Sequence, residues 1–332
     1  MTTLSPPFDL DSQPLIDARS EIIREVLDGL RSRPRTLQPW MLYDDLGSRL
    51  FEQITDLPEY YPTRTERSLL CRHADSIVAS VADGSRPLRL VELGAGSASK
   101  TCLLLAAAAR RHIDVVYMPL DVSAEALDLA CGNIQSAFPN VVLEPLLVNY
   151  VDSPPQLEEF DGSTLALYLG TSIGNFTPRE SRTILRNLGY QMGSQDAFLL
   201  GTDLVKDEFI LVAAYQDSQG VTAAFNLNIL HRLNKELEAD FDLSGFRHCA
   251  RWNSFESRME MHLESTRRQV IQIPAAGLQL DFRPGETIHT ENSYKFTDET
   301  LGALLFDSGF TPEMTWKDAR QWYALTLSRT YQ

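Results

Sequence analysis

A glycine-rich turn with two acidic residues around it is the clearest chemical signal in the sequence. Glu92, Gly94 and Gly96 follow a short apolar segment with the spacing Glu-x-Gly-x-Gly. Glycines at such a turn allow the backbone to approach a ligand closely. Asp121 ends the next apolar segment, where its carboxylate can accept hydrogen bonds from both hydroxyls of an adenosine ribose. The alternative role for Asp121, capping the next helix, can be filled by Ser123.

Two classes of cofactor site compete for this turn. A dinucleotide site has the pattern Gly-x-Gly-x-x-Gly, and here Ser99 stands where the third glycine is expected. The acid before the first glycine instead resembles the first motif of class I methyltransferases, whose cofactor has no pyrophosphate to hold. Glu92 and Asp121 together favour S-adenosyl-L-methionine. A nicotinamide-dependent oxidoreductase and a non-catalytic amino-acid-binding protein remain as alternatives.

Alternating strands and helices are predicted to position this turn. The predicted strands are 88–93, 115–120, 141–148, 165–169 and 198–200, and the helices between them are 99–110, 123–136 and 178–192. Such alternation implies a parallel sheet with right-handed crossovers. A helix at 297–308 and strands at 311–317 and 322–327 are predicted to complete this part of the chain.

Other segments do not follow this alternation and indicate a second domain. Helices are predicted at 15–30, 45–55, 206–217 and 221–238, and β structure at 250–295; a further predicted helix at 64–81 precedes the first strand of the alternation. The predicted substrate domain therefore contains residues 1–64 and 205–295. The predicted cofactor domain contains residues 65–204 and 296–332.

Composition narrows the classes of partner. The 332 residues include 30 basic and 45 acidic side chains, for a formal charge of −15. A chain this acidic is a poor ligand for nucleic acid or anionic membranes, and no apolar run reaches the length of a bilayer. The N-terminal residues 1–14 are expected to be a frayed tail without a secretory signal. We expect a monomer that acts on a small molecule.

The cysteines and histidines carry no pairing pattern. The four cysteines form no Cys-x-x-Cys pair, and Cys102 and Cys131 are expected to be buried thiols in a reducing cytoplasm. The six histidines are scattered without metal-ligand spacing, so no metal site is expected.

Five longer segments carry a more specific resemblance. They are Leu57–Glu66, Gly170–Pro178, Gly201–Asp207, Gly220–Asn226 and Glu291–Phe296. Together they resemble the histidine Nα-methyltransferases of ergothioneine biosynthesis, a family that includes fungal methyltransferases of tryptophan derivatives. The resemblance covers residue 40 to the C-terminus. It implies an α/β fold, namely a class I (Rossmann-like) methyltransferase domain with a seven-stranded, mostly parallel sheet, and a second α+β substrate domain.

The resemblance also implies an activity and the residues that bind the substrate. The activity is trimethylation of the α-amine of L-histidine to the betaine hercynine. Asn175 and Tyr215 match residues that hold the substrate carboxylate. Glu291 and Ser293 match residues that form hydrogen bonds with the imidazole, and Met261 matches a position beside that ring. Plainer interpretations are a turn residue for Asn175, core packing for Tyr215 and Met261, and a solvated strand face for the imidazole pair.

Three aromatic residues complete the implied substrate site. Tyr43 matches a tyrosine near the amine, Tyr60 one near the cofactor, and Phe51 belongs to the same wall. The sequence contains no obvious strong base for the amine, so Tyr43 with water is the expected proton relay. Tyr43 and Asn175 are therefore the candidate catalytic residues. The nearest alternative is a methyltransferase of the same family that acts on another aromatic amino acid, because Asn292, between Glu291 and Ser293, can alter the substrate pocket.

The implied cofactor residues include one departure from the family. The matching positions are Tyr60, Gly94, Gly96, Lys100, Asp121, Asn149 and Tyr150. Lys100 begins a helix, where a cation opposes the helix dipole, so a ligand carboxylate is expected to offset it. The family often has Asp-Phe where this chain has Asn149-Tyr150, which affects the expected cofactor affinity and leaves the reaction type unchanged.

Overall fold

The computed structural model describes residues 18–150 and 155–331. The predicted N-terminal tail, and residues 15–17 of the first predicted helix, lie outside the described residues. The helices are α1 (Ala18–Arg31), α2 (Asp45–Asp56), α3 (Tyr61–Val81), α4 (Thr101–Arg110), α5 (Ala124–Ala137), α6 (Pro178–Gly189), α7 (Glu208–Tyr215), α8 (Val221–Leu237) and α9 (Asp298–Asp307). Short 3-10 helices cover Pro39–Leu42, Ser172–Asn175, Leu243–Gly245 and Pro274–Ala276.

The strands follow the predicted pattern closely. They are β1 (Arg35–Thr36), β2 (Leu88–Leu93), β3 (Val115–Asp121), β4 (Val142–Leu143), β5 (Leu146–Leu147), β6 (Ser163–Tyr168), β7 (Ala197–Asp203), β8 (Phe246–Asn253), β9 (Arg258–Ser265), β10 (Gln269–Ile273), β11 (Leu278–Phe282), β12 (Thr287–Tyr294), β13 (Phe310–Lys317) and β14 (Tyr323–Thr330).

The main sheet is mostly parallel, which confirms the predicted α/β class. Its strand order is β13-β14-β7-β6-β2-β3-β4, and β5 also pairs with β3. Strands β3, β2, β6 and β7 run parallel, whereas β14 is antiparallel to both β7 and β13. Strands β4 and β5 pair with successive parts of β3, so they occupy one edge position. This arrangement is consistent with the expected seven-stranded sheet.

The predicted strand 141–148 is interrupted, and the prediction of a continuous strand is wrong. Glu144 and Pro145 separate β4 from β5. Proline has no N–H to donate to a neighbouring strand, so it breaks the ladder. The backbone resumes its pairing with β3 after the break, because the Val148 N–H donates to the Asp121 carbonyl at 2.9 Å.

Helices cover both faces of the main sheet, and all six residues of β2 are buried as a result. One apolar cluster joins Leu90 of β2 to side chains of α3 and α4, including Leu70 and Leu104. Another joins β6 and β7 to α6 and α9, including Leu185 and Leu301. This packing fixes the carboxyl ends of the parallel strands, where the glycine turn lies.

The chain divides into two compact units. The first contains the chain up to Gly47, together with Ala223–Cys249 and His262–Thr290. The second contains Ser48–Thr222, Ala250–Met261 and the chain from Glu291 onward. The main sheet belongs to the second unit. The functional boundaries predicted from the sequence, at residues 64, 204 and 295, stay a prediction.

Two further expectations concern burial and membranes. Cys102 and Cys131 are half-buried, so the expectation that both are buried is wrong. Cys102 packs at the margin of the apolar cluster around α4 and not in its centre. Across the described part of the chain, the helices lack the combination of length and apolar character needed to span a bilayer.

Candidate active site

The turn after β2 requires glycine for two reasons. Gly94 and Gly96 have φ angles of +67° and +51°, a region that other residues rarely adopt. A Cβ atom on Gly94 would also lie 3.2 Å from the hydroxyl oxygen of Tyr150. The Gly94 N–H donates to the Leu120 carbonyl at 2.8 Å, which fixes the turn against the end of β3.

Glu92 lies under this turn and joins three elements. Its side chain is buried, and its Oε2 accepts hydrogen bonds from the Thr101 hydroxyl at 2.6 Å and from the Tyr117 hydroxyl. Burial raises the pKa of Glu92 to about 7, although these two hydrogen bonds act in the opposite direction. The acid of the Glu-x-Gly-x-Gly pattern therefore holds β2, β3 and α4 together beneath the turn.

Asp121 ends β3 with its carboxylate next to the turn. Its Oδ2 accepts from the Gly96 N–H at 3.4 Å and its Oδ1 from the Ser123 N–H at 3.1 Å. Burial raises the pKa of Asp121. The Ser123 hydroxyl caps α5 by accepting from the Ala126 N–H. The division of roles predicted for Asp121 and Ser123 is thus compatible with this geometry, since the cap does not need the carboxylate.

Asn149 and Tyr150 follow β5 at the same edge of the sheet. The pairing of Val148 with Asp121 brings the two residues next to the end of β3. Asn149 is exposed, whereas burial raises the pKa of Tyr150 to about 12. The Tyr150 hydroxyl oxygen lies 3.5 Å from that of Tyr168 on β6.

Lys100 pairs with a carboxylate that belongs to the protein. Its Nζ lies 2.6 Å from Oε2 of Glu66, a fully buried residue of α3. Glu66 also accepts from the Gly170 N–H at 2.9 Å and from the Tyr323 hydroxyl at 2.6 Å. The Lys100 cation at the start of α4 is therefore offset by Glu66, and no ligand carboxylate is needed for that purpose. Sequence reasoning missed Glu66, although it closes one of the family-like segments.

Asn175 ends a short 3-10 helix that lies directly against β12. A Cβ atom on Gly174 would be 2.8 Å from the Tyr294 carbonyl oxygen and 3.6 Å from Oγ of Ser293. Glycine at position 174 thus allows the 3-10 helix to approach β12 closely beside Ser293, and half-buried Asn175 is the next residue of this helix. Thr177, the N-cap of α6, fixes the next turn through a reciprocal capping box with Glu180.

Tyr215 and Ser293 are joined directly. The Tyr215 hydroxyl donates to Oγ of Ser293 at 2.7 Å. The ammonium of Lys295 donates to both oxygens, at 2.8 Å each, and lies 2.8 Å from Oδ2 of Asp203. The Tyr215 hydrogen that the resemblance assigns to a substrate carboxylate is therefore given to Ser293 in this structure. Sequence reasoning missed Lys295 and Asp203, although Glu291, Ser293 and Lys295 alternate as residues on one strand face do.

Glu291 and Met261 are buried on neighbouring strands. Glu291 and Ser293 are 8% and 2% exposed, whereas Asn292 between them is half-buried, as expected when the pair shares the inner face of β12. Burial raises the pKa of Glu291 to about 8, and the charge of Lys295 partly opposes this rise. Met261 is 2% exposed on β9, which lies beside β12 in the sheet order. A solvated polar strand face is therefore wrong for this pair.

The candidate aromatic residues fall into two groups. Phe51, Tyr60 and Tyr215 form a chain of edge-to-face contacts, with ring centroids 6.3 Å and 6.4 Å apart. Tyr43 belongs to the first compact unit, where its ring meets Phe225 edge-to-face at 5.4 Å. The second unit thus contains all the candidate site residues except Tyr43.

Two histidines that are far apart in sequence lie together in the first unit. The rings of His262 and His289 are stacked, with centroids 4.7 Å apart. Their spacing in the sequence cannot reveal this contact, because it depends on the adjacency of β9 and β12.

A parallel sheet with a glycine turn after its first strand, an acid at the end of the second and an antiparallel closing strand defines an S-adenosylmethionine-dependent methyltransferase of class I. The chain belongs to the family of histidine-specific, S-adenosylmethionine-dependent methyltransferases, whose model matches residues 22–330.

Three named proteins with similar sequences are consistent with membership of this family. The chain is 41% identical to histidine N-alpha-methyltransferase of Mycolicibacterium smegmatis over 314 residues, or 94% of this chain and 96% of that protein. It is 41% identical to the Mycobacterium tuberculosis protein of the same name over 305 residues, or 92% and 94% of the two chains. Ergothioneine biosynthesis protein 1 of Neurospora crassa is 30% identical over 290 residues, which cover 85% of this chain and 32% of that protein.

Proposed function

We propose that this enzyme transfers methyl groups to the α-amine of L-histidine and produces the trimethylated betaine hercynine, the first step of ergothioneine biosynthesis. The observation that carries the proposal is the buried pair Glu291 and Ser293 on one face of β12. A carboxyl group and a hydroxyl match the two nitrogens of an imidazole, whereas an indole, which has one N–H and no acceptor, would leave the hydroxyl without a partner. A phenol offers its donor and acceptor at one oxygen and not at two separate ring atoms. The names of the bacterial relatives and of the Neurospora protein support the same substrate and pathway.

The residues around the glycine turn fit S-adenosylmethionine. A Cβ on Gly96 would meet no atom within 4 Å, so the backbone there is open to a ligand. We assign the ribose hydroxyls to Asp121, because hydroxyl donors would offset the burial of its carboxyl group. We assign the adenine amino group to Asn149, and the methionine end to Tyr60 and Lys100, whose ammonium keeps N–H donors beyond the one given to Glu66. When bound, this cofactor supplies an electrophilic methyl group on a sulfonium.

The substrate carboxylate is assigned to the amide of Asn175. Tyr215 contributes its ring and the hydroxyl that bonds to Ser293, and Met261 packs beside the imidazole. Phe51 and Tyr60 are assigned as aromatic surface for the methylated cation, and Tyr43 is assigned to the substrate amine; each ring face contributes ~0.5–2 kcal/mol. These assignments concern binding and orientation, which for an in-line displacement can supply most of the rate acceleration.

Proton removal is the remaining chemical requirement. An α-amine is mostly protonated near pH 7, yet only the neutral amine can attack a methyl group. Tyr43, with water, is the residue that we assign to passing this proton to solvent. The third methylation leaves a permanent cation, which needs no further proton acceptor.

The proposal includes a cellular context. We infer a cytoplasmic monomer that binds no nucleic acid, with a cofactor domain and a substrate domain divided as the sequence predicts. The charge of −15 and the lack of disulfides among the four cysteines support this context.

Incubation with S-adenosylmethionine and each of the twenty amino acids, followed by mass spectrometry, tests the function. We expect three mass increments of 14 on histidine alone. Preferential methylation of tryptophan or tyrosine would overturn the histidine assignment while leaving the family intact. Accumulation of a monomethyl or dimethyl product with fresh cofactor present would overturn the trimethylation step.

A further inference from the structure

The buried Lys295 donates hydrogen bonds to two hydroxyl groups of the candidate substrate site. The ammonium of Lys295 donates to Oη of Tyr215 and Oγ of Ser293, and it contacts Oδ2 of Asp203, all at 2.8 Å. An ammonium has three N–H donors, so these three contacts use all of them. We refer to Tyr215, Ser293 and Lys295 as the lysine cluster.

Within the lysine cluster, one hydroxyl hydrogen remains available for a further hydrogen bond. Oγ of Ser293 accepts one hydrogen bond from Tyr215 and one from Lys295, so both of its lone pairs are used. The serine retains its own hydroxyl hydrogen. Towards any further group, Ser293 can therefore act only as a hydrogen-bond donor.

We propose that Lys295 is a positioning residue that makes Ser293 a donor to the substrate ring, so that the enzyme accepts the imidazole only in its neutral form. This inference rests on the proposed histidine substrate. A neutral imidazole has one lone pair, which accepts from Ser293, and one N–H, which donates to Glu291. An imidazolium has two N–H groups, and one of them would face the Ser293 hydrogen.

Buried charges around the lysine cluster keep it in this arrangement. Asp203 and the side chain of Lys295 are fully buried and form an ion pair. Burial raises the pKa of Asp203, but the charges of Lys295 and Lys206 outweigh it and leave the pKa lowered. The titratable groups facing the cluster are Glu291 on β12, Asp203 at the end of β7, Lys206 after it, and the neighbouring residues Tyr60 and Tyr61. Of these groups only Glu291 is assigned a contact with the ring, and the others act equally on two substrates that differ only in the ring.

Lys206 offers a matched control. It contacts the same carboxylate, with Nζ 2.5 Å from Oδ1 of Asp203, and its side chain is almost as buried as that of Lys295. Its hydrogen bonds, however, go to Asp203, the Tyr61 hydroxyl and the Leu204 carbonyl. Lys206→Met therefore removes a buried cation beside Asp203 without removing a hydrogen bond to the hydroxyl groups of Tyr215 and Ser293.

The experiment compares L-histidine with 2-fluoro-L-histidine, whose ring stays neutral across the working pH range. The ratio of kcat/KM for the fluorinated substrate to that for histidine is measured from pH 7.5 to 5.5. The α-amine and the enzyme groups are common to both substrates, so the ratio reports the ring. For the wild type we expect an increase of about tenfold, because an imidazole with a pKa of about 6.5 becomes mostly charged over this interval.

The variants separate positioning from general stability. We expect Lys295→Met and Ser293→Ala to flatten the pH dependence of the ratio to less than about twofold, because nothing then selects the lone pair. Lys295→Arg, which keeps a charged donor, and Lys206→Met should retain the wild-type rise. Should Lys295→Met fail to fold, Ser293→Ala and Lys295→Arg still decide the question.

Two results would overturn the proposal. One is a wild-type ratio that falls as the pH is lowered, which indicates a preference for the charged ring. The other is a wild-type profile in Lys295→Met or Ser293→Ala. A wild type that methylates neither ring but accepts another amino acid would contradict the proposed function instead, so the two failures are distinguishable.

Discussion

The ammonium of Lys100 and the buried carboxylate of Glu66 lie 2.6 Å apart, and this pair joins the start of α4 to α3. Glu66 also accepts from the Gly170 N–H, five residues before Asn175, and from Tyr323 on β14. One side chain therefore connects the helix of the cofactor turn, the loop of the candidate substrate site and the closing strand.

Replacing Glu66 by glutamine should destabilise the protein and weaken cofactor binding. A glutamine amide has only one accepting oxygen for the three groups that donate to Glu66, namely Lys100, the Gly170 N–H and the Tyr323 hydroxyl. Its NH2 group would face donors and could not accept from them. Breaking a buried, hydrogen-bonded charge pair costs about 3 kcal/mol of unfolding free energy. Urea unfolding measures the loss, and Tyr323→Phe, which removes a single donor, should lose only about 1 kcal/mol. Equal losses in the two variants would show that the charge of Glu66 contributes little.

Restoring the family acid at position 149 should strengthen cofactor binding. Asn149→Asp replaces an amide acceptor with a carboxylate, which forms a stronger hydrogen bond with an amino group. Because residue 149 is exposed, we expect only a two- to fivefold lower Kd for S-adenosylhomocysteine at low salt. Calorimetry measures the change, and Asp121→Asn should move the Kd in the opposite direction. An unchanged Kd in Asn149→Asp would remove this residue from the adenine contact.

Exchanging Asn175 for aspartate tests its assignment to the substrate carboxylate. Two carboxylates at hydrogen-bond distance repel, and the amide donor is lost, so KM for histidine should rise about 100-fold, equivalent to ~2.7 kcal/mol. Histamine, which has the ring and the amine but no carboxylate, provides the control. Its kcat/KM should change less than threefold. A similar loss for both substrates would indicate that Asn175 supports the fold of its loop instead.

The buried carboxyl group of Glu291 should reduce stability as the pH rises. Its pKa is about 8 in the folded protein and about 4.3 in an unfolded chain, so the folded state binds more protons between these values. The cost is absent below pH 4, grows across the interval and is complete above pH 8. Glu291→Gln remains uncharged, and its unfolding free energy relative to wild type should increase by up to about 1.4 kcal/mol per pH unit.

Urea unfolding at pH 5, 6, 7 and 8 provides the measurement for Glu291→Gln. Ser293→Ala removes a neighbouring polar group that does not titrate, so its stability difference from wild type should stay constant with pH. A constant difference in Glu291→Gln as well would mean that the carboxyl group titrates normally.

Local patterns in the sequence were sufficient for most of the architecture. The apolar run at 88–93 became β2, and the alternation of strands and helices predicted the parallel sheet. The strand predicted at 141–148 failed at Pro145, whose missing N–H has a larger effect than the apolar residues around it. Periodicity records which face of an element is apolar, so it identifies elements well and their interruptions less well.

The contacts of the site depend on partners far apart in the chain, which no local pattern contains. Glu66 meets Tyr323 across 257 positions, and Lys295 meets Tyr215 across 80. The family-like segments contain these residues without showing which of them touch. Buried ion pairs such as Asp203 with Lys295 also contradict the usual distribution of charged residues, which predicts both at the surface.

The strand β12 and its extension carry Glu291, Ser293 and Lys295 at alternate positions, so exchanges among them alter the pocket without altering the main chain. The two ring-facing positions nevertheless differ in how readily they can diverge during evolution. Replacing Glu291 removes a buried carboxyl group whose pKa is raised by that burial. Ser293 shares its oxygen with a buried cation, and its loss would leave that cation without one of its partners. For a lineage that drifts toward another amino acid, a change at position 291 therefore relieves a buried carboxyl group, whereas a change at position 293 leaves Lys295 short of one hydrogen-bond partner.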